Sequence, residues 1–322
     1  MSVALAAWRF DPWAFAAIVI LGGSYLACLH RARHSGESWS AGRTVAFCGL
    51  GMATIVIATM SFVGVYQGVL FYVRAVQTVL FLLLIPLFLA LGRPLSLFIA
   101  AAPKAGARLR AAIGSRPVRL ATFPAISTFV LVLTPFLVYF TPWYAAGFHS
   151  TAVAELTHIA LAVPGFVFFW TLLRVDPVPK SYPYVVALWI TAAEVIGDAV
   201  LGLAVISDTS LIAGTYYHAL ARPWGPSLST DQVLGGGVLW ILGDIVGLPF
   251  LAAQLIAMMR EDAAEAEVID AELDARDAEQ AARQVGAQDE SQPPASAGQQ
   301  PWWESDPRFA ERFQAVEEPG ER

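Results

Sequence analysis

Six ionisable side chains fall inside segments that are otherwise apolar: Arg74, Glu155, His158, Glu194, Asp198 and Asp244. Such groups are costly in hydrocarbon, so each one is a functional hypothesis by default. Glu155 and His158 are three residues apart and Glu194 and Asp198 four apart, so each pair shares one face of a helix. Gln77 and Thr78 lie on the face that carries Arg74. The expectation is one polar pocket in which Arg74 offsets carboxylates that would not stay ionised alone. Two chemistries suit it: an ion-pair network that fixes how the helices pack, or a site for a ligand, a metal or protons. As a metal site it is acid-rich rather than imidazole-rich, whereas copper favours imidazole and thiolate. His158 is the single imidazole within it and the one candidate metal ligand; His149 and His218 fall on flanking loops, and His30 and His34 lie beside arginines. Cys28 and Cys48 read as packing residues of neighbouring helices.

The elements that must position these residues are membrane spans. The chain of 322 residues is 57% hydrophobic and 14% charged, with a mean hydropathy of +0.57. That balance excludes an ordinary soluble protein. Seven apolar runs are long enough to cross a hydrocarbon core of about 30 Å as helices, at roughly 13–29, 44–64, 69–92, 120–141, 151–173, 184–207 and 233–259. Continuous runs of this length suit helices rather than the alternating strands of a barrel. The fold class expected is all-α, a polytopic bundle of seven transmembrane helices.

Orientation follows from the loops. Arg31, Arg33 and Arg43 follow the first span. Arg93, Lys104, Arg108, Arg110, Arg116 and Arg119 follow the third, Arg174 and Lys180 the fifth, and Arg260 the seventh; the opposite side carries Arg9 and Arg222. The N-terminus is therefore expected outside and the C-terminus in the cytoplasm, in a multi-pass protein of a bacterial plasma membrane. The six ionisable groups then all fall in the outer half of the bundle. The first span has neither a basic n-region nor a small-residue cleavage site and is expected to be retained.

Three regions are expected: a transmembrane domain over 1–260, an acidic cytoplasmic helix over 261–283 rich in Ala, Glu and Asp, and a disordered tail over 284–322 whose Trp302, Trp303 and Phe309 could dock a partner. The net charge of −6 comes from that acidic end. No basic stripe exists to neutralise phosphates, so nucleic acid is excluded as a partner. Two cysteines exclude a disulfide framework. No nucleophile elbow, Walker loop, zincin helix or dinucleotide fingerprint is present, so no catalytic residue is assigned and no enzymatic turnover is expected. The absence of a long internal repeat argues against a transporter of inverted halves. Gly235, Gly236 and Gly237 open the last span after Asp231 and Gln232, with Asp231 expected as its N-cap. Small residues there and at Gly243 permit close packing within the bundle or between copies, which leaves the oligomeric state open.

The run Arg222-Pro223-Trp224-Gly225-Pro226, followed by Asp231-Gln232, Gly235-Gly236-Gly237 and Trp240, resembles the CtaG family of membrane proteins that assist assembly of haem-copper cytochrome c oxidases. Trp170 with Val175-Asp176-Pro177, the stretch Ile85-Pro86 to Gly92-Arg93-Pro94, and Phe10-Asp11-Pro12 extend the likeness over roughly 8–275. The resemblance implies a role in inserting copper, with the lipid bilayer and cytochrome c oxidase subunits of the respiratory chain as partners. Family members typically carry histidines where this chain has Arg74 and Thr78, a His-Glu-x-x-His where it has Glu155 and His158, and a histidine where it has Asp198. The resemblance therefore implies an assembly factor whose copper handling is weakened. The alternative is a non-metal accessory or structural subunit associated with a respiratory complex, and a proton or ion pathway through the six ionisable groups is a third reading.

Overall fold

The computed structural model describes residues 6–180 and 182–291. The expected docking residues Trp302, Trp303 and Phe309 lie outside them. Eleven helical elements follow one another among the described residues: α1 (Pro12–His34), α2 (Ala41–Tyr66), α3 (Phe71–Ala101), α4 (Pro103–Ile113), α5 (Arg116–Ala121), α6 (Pro124–Tyr139), α7 (Trp143–His149), α8 (Thr151–Leu173), α9 (Tyr184–Ser207), α10 (Gly214–Ala219) and α11 (Leu228–Ser291). Six are long and apolar enough to cross a membrane, or seven if the bent pair α6 and α7 is one span.

That pair is where the structure departs from the expected span 120–141. Helix α6 has 16 residues, about 24 Å at 1.5 Å per residue. The chain then turns by 63° into α7, and Pro142, which cannot donate to the helix ladder, stands at the break.

The chain falls into two compact units, Met1–Met259 and Arg260–Arg322. Within the first, α3 is the innermost span, with 61% of its apolar window buried against 22% for α1. It packs against α2 and α8, while α6 lies between α8 and α9. Helix α3 accommodates Pro86 by widening into a π-helical turn at Leu80–Leu84 just before it, because a proline ring clashes with the carbonyl four residues back and leaves it without its N–H partner. That carbonyl is Leu82, and Gly165 of α8 packs directly over it and over the Pro86 ring; a methyl group at 165 would overlap the Leu82 carbonyl. In the second unit the described residues are helical as far as Ser291, further than the end expected near 283, and their side chains between 261 and 280 are solvent-exposed.

Candidate functional site

Three aspartates hold helix starts together, two of them across long stretches of chain. Asp11 caps its own helix α1, accepting from the N–H groups of Trp13 and Ala14 at 3.0 and 3.1 Å. Asp176 accepts from the N–H groups of Leu95 and Ser96 at 3.1 and 2.8 Å, in the first turn of the segment Pro94–Ala101, where α3 restarts after a break at the left-handed Arg93. Burial pushes the Asp176 carboxyl up from its ordinary value, opposed by those hydrogen bonds with Ser96 and Leu95 and by Arg93. Trp170 Nε1 donates to the Pro177 carbonyl at 3.2 Å, tying the same loop to α8.

Asp231 is fully buried and accepts from the N–H groups of Phe71 and Tyr72 at 3.0 and 3.1 Å. It also pairs with Arg222 at 2.8 Å. Asp231 therefore closes the start of α3, where unpaired N–H groups and the helix dipole favour a carboxylate. It is not the N-cap of its own helix, as expected from the sequence. Helix α11 begins earlier, at Leu228, and Ser227 Oγ accepts from the Thr230 N–H at 3.2 Å. Gln232 beside it ties the loop before α10, its amide donating to the carbonyls of Val205, Asp208 and Ser210 and accepting from the Ile212 N–H. Gly235 lies against the Phe71 ring of α3 and Gly236 against Ile206 and the Gly202 carbonyl of α9, so neither position has room for a side chain. Trp240 packs over Gly202. Pro223 belongs to the loop that Trp224 fixes through an edge contact with Tyr66, ring centroids 5.7 Å apart.

The expected polar pocket is split in two. Arg74 of α3 is 6% exposed. Its Nη1 donates to Gln67 Oε1 at 2.9 Å, and its guanidinium lies 4.7 Å from the Tyr144 ring centroid and 4.5 Å from that of Phe148. A cation–π contact of this kind is worth about 2 kcal/mol when desolvated. Thr78 bridges the Arg74 carbonyl and the Tyr139 hydroxyl, both at 3.0 Å, and Gln77 donates to the Ala58 carbonyl at 2.8 Å. Arg74, Gln77, Thr78 and His158 share one small interior chamber. His158 Nδ1 lies 3.3 Å from Glu155 Oε2, and its ring stacks on Phe81 with centroids 4.2 Å apart. Gln67, Ala154 and His158 separate that chamber from a cavity of about 420 Å³ that also involves Arg9, Asp11, His149, Ser150 and Glu155.

The other acids are elsewhere. Glu194 and Asp198, 2% and 5% exposed, pack from α9 onto Gly247 and Gly243 of α11, beside Asp244. Among the described residues, Arg74 has no carboxylate within 4.0 Å, and neither Glu194 nor Asp198 has a basic side chain at that distance. The expected pairing of Arg74 with Asp198 and Glu155 does not form. The physical reason is that the Arg74 face of α3 turns toward α7 and α8, while the acidic face of α9 turns toward α11.

Copper, which the resemblance implies, does not fit this donor set. Among the described residues no three His, Cys, Asp or Glu side chains are grouped as a metal ion would require. His158 offers one imidazole, already engaged with Glu155, beside a fixed guanidinium.

The chain matches the family model of the cytochrome c oxidase caa3 assembly factor, Caa3_CtaG, over residues 23–261. It belongs to that family. An uncharacterised protein of Mycobacterium bovis is 30% identical over 266 residues, covering 80% of this chain and 40% of its own length. An uncharacterised protein of Mycobacterium tuberculosis matches with the same figures, and one of Mycobacterium leprae is 28% identical over 263 residues. The chain thus spans about two fifths of the length of the curated relatives it matches. No solved structure is a significant match.

Sequence reasoning missed Gln67, Tyr144 and Phe148 as the partners of Arg74. A signal existed for each. Gln67 is the polar residue of the short turn just before the helix that carries Arg74, and Tyr144 and Phe148 are four residues apart on one helix face.

Proposed function

We propose that this chain is a membrane-embedded factor for assembling a haem-copper cytochrome c oxidase, acting without a resident copper ion in its intramembrane pocket. Membership of the caa3 assembly-factor family over 23–261 carries the reading. The long-range ties made by Asp231, Gln232 and Asp176, which fall on the motif residues of the resemblance, support a scaffold role for them. The loss of copper handling rests on Arg74, Thr78 and Asp198 standing where the resemblance implies histidines. Copper in this reading is cargo of oxidase assembly rather than a resident group of this chain. The oxidase subunits and the bilayer are the partners. The distribution of Lys and Arg supports an N-terminus outside and a C-terminus in the cytoplasm of a bacterial plasma membrane.

Deleting the gene and recording oxidase spectra, with the copper and haem content of the isolated oxidase, tests the role. Reduced or under-metallated oxidase, restored by the full chain, is expected. A normal, fully metallated oxidase in the deletion strain refutes it.

A further inference from the structure

The chamber that the family resemblance would fill with a cation has the opposite polarity in this chain. Arg74 carries a fixed positive charge, is 94% buried by the measure of its 6% exposure, and is faced by aromatic rings and one amide rather than by a carboxylate. A guanidinium cannot shed its proton and has no acceptor atom. It must therefore be facing Gln67 through the amide oxygen, which leaves the Gln67 NH₂ free to turn outward.

Gln67 also lines the neighbouring cavity of about 420 Å³, a volume in the range of small-ligand sites. That cavity offers His149 and the hydroxyls of Ser150 and Thr151 as donors, while Arg9 and His158 are each shared with an acid on its wall. Its two acids are already engaged. Asp11 caps α1 and lies 3.6 Å from Arg9, and Glu155 faces His158. Gly147, at the cavity wall, is so close to the guanidinium that a Cβ there would sit 2.9 Å from Arg74 Nη2. The guanidinium thus stands directly behind the wall at Gly147, and among the described residues no carboxylate lies within 4.0 Å of it.

We propose that this cavity binds an anionic group, a phosphate ester or phosphate ion, which Gln67 and the cavity donors contact directly while Arg74 supplies the compensating charge from behind. The inference is independent of the assembly role: it concerns what the pocket holds, and it is read by binding rather than by oxidase content.

The test uses the purified full chain in detergent at constant ionic strength, with two probes, inorganic phosphate and short-chain phosphatidylglycerol, against short-chain phosphatidylcholine as the neutral control. Binding is followed by the shift in Tm and by native mass spectrometry. Retention of phosphatidylglycerol over phosphatidylcholine assigns a lipid headgroup, and saturable phosphate binding assigns a free anion. In either case Gln67→Glu should weaken binding at least tenfold, because a carboxylate there pairs with Arg74 and occupies its charge, and this variant keeps the fold through that new pair. No anionic probe bound above the neutral control overturns the proposal, as does equal binding by Gln67→Glu with its Tm unchanged or raised.

Discussion

Asp231 accepts the backbone N–H of Phe71 at 3.0 Å, so a side chain from the last span closes the start of the third. The two residues are 160 positions apart, and the same carboxylate meets Arg222 at 2.8 Å with side-chain exposures of 6% and 0%. Loss of one partner of a buried pair leaves the other charge uncompensated. Asp231→Ala should therefore cost about 3–5 kcal/mol, read as a lowered unfolding midpoint in detergent. The double variant Arg222→Ala, Asp231→Ala should be less damaged than Asp231→Ala alone. Additive losses would show that the pair is not the source of the effect.

Much of the architecture was legible because apolar runs of membrane length announce themselves without tertiary information. The polar site was less so. Spacing told which side chains share a face, as for Glu155 with His158, but the rotation of one helix against another is set by packing that spacing does not encode. Arg74 and Asp198 were grouped by depth alone; the aromatic pair Tyr144 and Phe148 takes one and the glycine groove at Gly243 and Gly247 takes the other. Asp231 looked like the cap of its own helix for a similar reason. Ser227 caps as well as aspartate does, and with it in place the carboxylate was free to serve α3.

Gly165 should tolerate no side chain. It packs over the Leu82 carbonyl and the Pro86 ring, where the π-turn of α3 has already spread the backbone. Gly165→Val should cost about 1–3 kcal/mol through overpacking, measured as a fall in Tm of the purified chain. An unchanged Tm would mean that α8 does not approach α3 so closely.

Asp176 should make stability depend on pH in a definite direction. Its carboxyl is raised above the ordinary value of 3.8, chiefly by burial. A raised folded-state value means that the native protein holds the proton more tightly than the unfolded chain does. The contribution is fully present below about pH 4 and is lost as pH rises through the raised value. Stability of the wild type relative to Asp176→Asn should therefore fall as pH rises from about 4, then level off. A gap that widens in favour of the wild type with rising pH would contradict this.

Glu194 and Asp198 should be dispensable for stability. They are buried in a membrane span without a basic side chain within 4.0 Å among the described residues, so their charge compensates nothing there. Asp198→Asn, nearly the same shape, should leave the unfolding midpoint at pH 7 unchanged or raise it, within about 1 kcal/mol. A loss well beyond that would reveal a cationic partner for this group.

The most direct measurement is the copper content of the full chain purified from copper-replete cells, compared with that of His158→Ala. The account predicts well below one equivalent in both, with no difference between them. One equivalent in the wild type, lost on removing the imidazole, would mean that the intramembrane pocket holds copper after all.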